Sequence, residues 1–237
     1  MKNYKNSFCR KEIKYLVNKE QHDALVVALE PWMIPDVYGE YAISSLYFDT
    51  ATLDSQRETG WGPVYKEKLR LRTYGTPKPE DASFLELKKK FLGITYKRRI
   101  ALPYGEAMDY LLKGIPPTEQ GQIFQEIDWF VQRENPQPMA VLCYNRSAFA
   151  GKEDPEFRMT FDRDIFWRSD CLDLSAGDFG ERLLDRGDYL LEIKVDGSFP
   201  LWLSELLGEL EIYPVSFSKY RTVSGNIMSG EVMRHAG

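Results

Sequence analysis

The sequence predicts an α+β protein built on a largely antiparallel sheet of many strands, and three observations carry that prediction. Short strand-like segments dominate the chain; helices punctuate them without the regular βαβ alternation of a parallel sheet; and most of the strands alternate charged with apolar residues, the mark of a sheet with one polar and one buried face.

The elements follow in order. "RKEIKY" from Arg10 is a first strand, and Asn18 caps a helix over "KEQHDALVVALEPW". "YAISSLYFDT", "YKEKLRLRTYG", "SFLELKKK" and "TYKRRIAL" are strands rich in β-branched and aromatic residues, with "GTPKPEDA" as a hairpin loop. Two helices come next: "GEAMDYLLKG", ending at Gly114, and "TEQGQIFQEIDWFVQREN", opening at Thr118. "AVLCYNRSAF", "FRMTFDRDI" and "YLLEIKV" are further strands, followed by "PLWLSELLGEL", with Pro200 at the helix start, and "SFSKYRTVSGNIM", also helical. Trp129, Phe130 and Trp202 fall at helical spacing beside aliphatics and are read as core. With no internal repeat, low-complexity tract or linker, residues 1–237 are expected to form a single domain.

Composition narrows the chemistry. The formal net charge of -5 argues against a nucleic-acid partner, because phosphate contacts usually leave such a domain basic. No apolar run approaches a membrane span or a signal segment, so a cytoplasmic protein without direct membrane insertion is expected. Cys9, Cys143 and Cys171 are too scattered for a disulfide frame or a zinc site and are read as small buried thiols. Only His22 and His235 are present, which disfavours Ser/His/Asp and Cys/His hydrolysis. Chemistry would fall to lysine, arginine, carboxylates and a hard metal.

Residues two apart on a strand share a face. Lys66, Lys68, Arg70 and Arg72 therefore lie opposite Glu67, Leu69 and Leu71; Glu86, Lys88 and Lys90 oppose Leu85 and Leu87; Glu192 and Lys194 oppose Leu191, Ile193 and Val195. Arg10, Glu12 and Lys14 share a side, as do Arg158, Thr160 and Asp162, and as do Tyr144 and Arg146. Any one of these faces is most simply a solvated sheet surface. Their repetition points further: if such strands curl together, they line a barrel with cations. Burying like charges unpaired costs several kcal/mol each, so the interior would need a polyanionic occupant, for which phosphate chains are well suited. Glu12 and Glu86 are read as partners of neighbouring cations, and Asp162 as the salt-bridge partner of Arg158.

The ordered set "RKEIKY", "SLYFDT", "LRLRTYG", "FLELKKK", "YKRRIAL", "YNRSAF", "RMTFD", "LLEIKV" and "FSKY" resembles the VTC domain, the polyphosphate polymerase domain of the vacuolar transporter chaperone complex, within the triphosphate tunnel metalloenzyme superfamily. The resemblance implies an antiparallel eight-stranded β-barrel tunnel with helices packed on the outside. It implies phosphate-binding roles for Lys14, Arg70, Arg72, Lys88, Lys97, Arg146, Arg158 and Lys219, hydrogen bonds from Tyr144 and Ser218, and a Mn or Mg ion on Glu192. Lys68, Arg99 and Lys194 join the binding set from face parity alone. Arg70, Arg72, Lys88, Arg146 and Lys219 are the residues expected to act in catalysis.

The implied activity is a phosphotransferase reaction in which the γ-phosphate of ATP extends a polyphosphate chain. The alternatives are a metal-dependent triphosphate or polyphosphate hydrolase and a non-catalytic polyphosphate-binding module. Arg10 stands where the superfamily's hydrolases typically open an ExExK strand with a carboxylate, which weakens the hydrolase alternative. ATP and polyphosphate are the expected partners. No SPX-type regulatory region or membrane segment is read, so any membrane partner is expected to be separately encoded.

Overall fold

The computed structural model describes residues 10–50, 65–91 and 94–235. Its strands are β1 (Arg10–Val17), β2 (Met33–Asp49), β3 (Tyr65–Tyr74), β4 (Ala82–Phe91), β5 (Ile94–Pro103), β6 (Gln137–Gly151), β7 (Arg158–Arg168), β8 (Glu181–Arg182) and β9 (Tyr189–Asp196). The helices are α1 (Lys19–Leu29), α2 (Tyr104–Lys113), α3 (Gln122–Glu134), α4 (Leu201–Glu209) and α5 (Lys219–His235). The α+β class and the antiparallel pairing are as the sequence predicts. The hydrogen-bonded order is β1-β9-β7-β6-β2-β3-β4-β5, with the short β8, which periodicity does not signal, added on β7. Among the described residues this path does not close on itself, so the eight-stranded barrel is an approximation.

The chain packs as two compact units. One comprises residues up to Tyr41 with Tyr144–Ile165 and Leu184–Phe217; the other comprises Ala42–Cys143, Phe166–Leu183 and residues from Ser218 on. In the first, the apolar faces of β1, β7 and β9 supply Tyr15, Val17, Met159, Phe161, Leu191 and Ile193, which pack with Leu25 and Leu29 of α1 and with Leu203 and Leu207 of α4. In the second, Leu69 and Leu71 of β3 and Leu85 and Leu87 of β4 are fully buried under Tyr104, Ala107 and Tyr110 of α2 and Phe124, Ile127 and Phe130 of α3. Period-two alternation has put the leucines of β3 and β4 on the helix-covered side, and the opposite side of these two strands is mostly charged.

Local signals account for most boundaries. Asn18 and Gln21 form a reciprocal capping box at the start of α1. Gly114 ends α2 in the left-handed conformation that glycine adopts without strain. Asp81 closes the β3–β4 hairpin by accepting from the Lys78 amide at 2.8 Å.

Several expectations need correction. α3 opens at Gln122, not at Thr118; the Thr118 amide and hydroxyl instead donate to the Glu106 carboxylate of α2 at 2.9 and 3.3 Å, which satisfies them without a helix. Trp129 is not core: it is 58% exposed, with the Arg133 guanidinium 4.2 Å above its ring. Phe130 is buried, and the partly buried Trp202 stacks on Trp32. Cys143 is buried but Cys171 is exposed; Cys9 and the side chains of Arg10 and His235 lie outside what is described. Glu67 shares the apolar parity of β3 yet is buried, its carboxyl contacted by Lys89 at 3.2 Å and by Arg133.

Candidate functional site

In the second unit, the polar faces of β2, β3, β4 and β5 meet in register. Tyr47 stands opposite Arg70 and Ser45 opposite Arg72. Arg70 in turn faces Glu86 and Lys68 faces Lys88, while Glu86 faces Arg99 and Lys88 faces Lys97. Glu86, 1% exposed, is the hub. It receives Arg70 through Nε at 2.7 Å and through a terminal nitrogen at 2.6 Å, Lys97 at 2.5 Å and Arg99 at 3.3 Å. Burial alone would raise its pKa, but Arg70, Arg72 and Lys97 outweigh burial and hold it down to about 2. Glu86 is therefore an anion at neutral pH that organises three of the expected phosphate-binding cations, and its expected pairing role holds.

The remaining cations of this face crowd one another. Burial lowers the Lys68 ammonium to about 8, with Lys66 and Lys88 adding repulsion against the raising influence of Tyr47 and Asp49. Burial also lowers Lys97, against its hydrogen bond to Glu86. Lys88 is exposed and has no ion-pair partner among the described residues. Arg72, 7% exposed, donates to the Ser45 hydroxyl at 3.3 Å. Arg99 places its guanidinium carbon 3.7 Å from the centroid of the Phe84 ring, a cation–π contact. A net cationic surface maintained at the cost of lowered lysine pKa values is what an anion site requires.

α5 begins at Lys219, just after Ser218, whose carbonyl accepts the Thr222 amide at 2.9 Å. A cation at a helix N-terminus opposes the helix dipole, so helix stability does not explain Lys219. Together with the helix amides it favours an anion instead. The next residue, Tyr220, is buried; its hydroxyl donates to Asp49 at 2.9 Å and its ring stacks on Tyr47 with centroids 4.6 Å apart.

The first unit holds a second polar face. Lys14 of β1 stands opposite Glu192 of β9, and Glu12 opposite Lys194. Lys194 contacts Glu192 at 2.5 Å, and Lys14 lies 3.8 Å from Glu192 and 3.6 Å from Glu12. Arg146 of β6 grips the fully buried Asp162 in a bidentate pair at 2.5 and 2.7 Å and lies over the Tyr144 ring at 5.3 Å. This corrects the expected Asp162–Arg158 pair. Arg158 opens β7 exposed, opposite Lys194, with its Nε on the Pro155 carbonyl at 3.3 Å; the cross-strand neighbour, not the residue four positions back, reaches the carboxylate. Burial disfavours the Arg146 cation, but Tyr144 and Asp162 outweigh it and raise its pKa well above normal.

Among the described residues, no group of three or more His, Cys, Asp or Glu side chains is gathered for a metal. The face offers Glu192 and Glu12, together with the Thr160 hydroxyl, which is buried opposite Glu192 and has no hydrogen-bond partner among the described residues. Mg-type ions are commonly held by one or two carboxylates while substrate phosphates and waters complete the shell, so this donor set fits an ion that arrives with a phosphate substrate.

Period-two reasoning put Lys14, Lys68, Arg70, Arg72, Lys88, Tyr144, Arg146, Arg158, Glu192 and Lys194 on the charged sides of their strands, whereas Lys97, Ser218 and Lys219 were reached only through the motif resemblance. It did not single out Ser45, Tyr47, Asp49 or Tyr220, although "SLYFDT" carries the signal: Ser45, Tyr47 and Asp49 alternate with Leu46 and Phe48, which are core.

Comparison with known proteins agrees with this architecture. A family model described as the VTC domain matches residues 9–224. Among solved structures, a candidate adenylate cyclase from Bacillus halodurans superposes with a TM-score of 0.54 at 15% identity, over 88% of this chain and 95% of its own. A candidate adenylyl cyclase from Hippeastrum, described as having a dominant triphosphatase activity, superposes with a TM-score of 0.55 at 16% identity, over 90% of this chain and 95% of its own. At these identities the likeness establishes the fold. A comparison with curated proteins finds no match.

Proposed function

Because this chain belongs to the VTC domain family, we propose that it is an ATP-dependent polyphosphate polymerase, which transfers the γ-phosphate of ATP to the end of a polyphosphate chain. The observation that carries this reading is the cationic face of β3, β4 and β5, where Arg70, Lys97 and Arg99 converge on the buried carboxylate of Glu86 and Lys68, Arg72 and Lys88 share the same face. Solvation alone gives no reason to bury arginine and lower lysine pKa values on one face.

In this reaction a terminal oxygen of the acceptor chain attacks the γ-phosphorus. A new P–O bond forms, and the bond from the γ-phosphorus to the β,γ-bridging oxygen breaks, its electron pair leaving with ADP. The transition state is loose and spreads charge over the equatorial oxygens, so positioning and charge stabilisation do most of the work. Arg70, Arg72 and Lys88 neutralise donor and acceptor phosphates, and Lys97, Arg99 and Lys68 add to the binding field. Lys219 and Ser218 present a cation, a hydroxyl and helix amides to a phosphoryl group. Within the first unit, Arg146, held by Asp162, and Lys14, Arg158, Lys194 and Tyr144 give a polar face of its own, with charge and hydrogen bonds suited to phosphate. The acceptor is already anionic, so no general base is needed, which agrees with the lack of a histidine on either face among the described residues.

Glu192, with Glu12 and Thr160 beside it, would hold a Mn or Mg ion, which when bound supplies further neutralisation of phosphate charge. A hydrolase reading, in which water replaces the acceptor, is favoured by two observations: Glu12 and Glu192 share a face, and the Hippeastrum protein similar in fold is described as having a dominant triphosphatase activity. The test is incubation of the purified protein with ATP and Mn, with and without a short polyphosphate primer, while ADP, free phosphate and polymer are followed together. ADP with polymer and little free phosphate supports the polymerase; free phosphate without polymer supports hydrolysis; no turnover with retained polyphosphate binding leaves a binding module. A cytoplasmic setting and a separately encoded membrane partner belong to the same proposal. No helix among the described residues is long and apolar enough to cross a membrane.

A further inference from the structure

We infer that Tyr47 contacts the substrate, its phenol O–H donating a hydrogen bond to a phosphoryl oxygen of the bound phosphate chain. This rests on the reading that the face formed by β3, β4 and β5 holds such a chain.

Tyr47 lies on the polar side of β2, opposite Arg70, and its hydroxyl oxygen accepts from an Arg70 terminal nitrogen at 3.1 Å. It is buried, 9% exposed, yet among the described residues its own O–H has no acceptor. Buried phenols normally find one. The groups around it explain why none is available: Arg70, Arg72 and Lys68 of β3 and Lys219 of α5 are all cations, and the Asp49 carboxylate already accepts the Tyr220 hydroxyl. Nor is the ring readily swung away. It is stacked on Tyr220 at an interplanar angle of 7°, and Tyr220 is itself 3% exposed. What the hydroxyl lacks is an anionic acceptor, and its surroundings would attract one. A charge-assisted O–H···O bond to a phosphoryl oxygen completes the phenol and places it alongside Arg70 on the same ligand.

The protonation state is poised to matter. Burial alone would raise the phenol pKa, but Arg70, Arg72 and Lys219 outweigh it and bring it down to about 8. Below that pH Tyr47 is a donor; above it, a phenolate would repel the phosphate chain. Lys68 also titrates near 8, so the wild-type response combines loss of this donor with loss of that cation.

The test is calorimetric binding of tripolyphosphate from pH 6.5 to 9.5, with thermal melting as a check on folding, for the wild type, for Tyr47→Phe and for a protein carrying a fluorinated tyrosine at position 47. Tyr47→Phe keeps the stacked ring. It should bind about tenfold more weakly at pH 7, and its affinity should fall less steeply above pH 7, because only Lys68 still titrates. The fluorinated, more acidic phenol should move the steep part of the fall to lower pH, an effect that a purely structural role for the hydroxyl would not produce. A phenylalanine variant with wild-type affinity and pH profile, or a fluorinated protein with an unmoved profile, would overturn the inference. Failure of the wild type itself to bind tripolyphosphate would overturn the underlying functional reading with it, and is recognised because no variant comparison is then needed.

Discussion

Replacing Glu86 by Gln removes the negative charge on which Arg70, Lys97 and Arg99 converge and leaves their side chains in place around a neutral amide. Glu86 is 1% exposed, so water cannot take over the screening. Its pKa is lowered from the 4.5 of an ordinary glutamate to about 2, which corresponds to about 3 kcal/mol of preference for the ionised form in the folded protein. That agrees with the usual cost, about 3–5 kcal/mol, of breaking a buried ion pair from one side. For a chain of 237 residues, about 3 kcal/mol should lower the melting temperature by about 6–12 °C at pH 7. The sign with pH follows from linkage. A depressed carboxylate pKa contributes stability that is complete above about 4.5 and is lost as pH falls toward about 2. The gap between wild type and Glu86→Gln should therefore be widest at neutral pH and should narrow between pH 4.5 and 2. Added tripolyphosphate should stabilise the variant more than the wild type, because a bound polyanion replaces the missing charge. A variant that melts within 1–2 °C of wild type at pH 7, or a gap that does not narrow in acid, would refute the account of Glu86 as the charge hub.

Three further outcomes are expected. Glu192→Gln should abolish metal-dependent turnover while tripolyphosphate affinity, measured by calorimetry, stays within a few-fold of wild type; equal turnover would remove Glu192 as the metal carboxylate. Arg146→Met should cost about 3–5 kcal/mol in denaturant unfolding by leaving Asp162 buried without its bidentate partner, whereas Arg158→Met, at an exposed position, should cost less than about 1 kcal/mol. Gly180→Ala should be strongly destabilising in a thermal melt, since an added Cβ would stand 2.2 Å from the Trp167 carbonyl oxygen at a φ of +141°, where both the backbone geometry and the neighbouring strand forbid it.

How much was legible beforehand can be judged from particular residues. The alternation in "KEKLRLR" and "FLELKKK" placed Leu69, Leu71, Leu85 and Leu87 in the core and the cations opposite them, because strand periodicity is a property of the local backbone. Capping chemistry located α1 and the end of α2 for the same reason. Thr118 misled because its cap-like side chain found a better acceptor in Glu106, twelve residues away. Trp129 misled because a helix's apolar stripe is wider than the core it meets, and Arg133 covers the excess.

The sequence by itself determined which residues share a face, that these faces are cationic, that histidine chemistry is absent from them, and, through the order of its motifs, the family. Only the tertiary structure decided who meets whom: that Glu86 gathers cations from the strands on both sides, that Asp162 belongs to Arg146 and not to Arg158, and that Tyr47 is locked between Arg70 and Tyr220. Those pairings depend on strand register and on a helix start far along the chain. They are set by how whole faces pack, which no local period encodes.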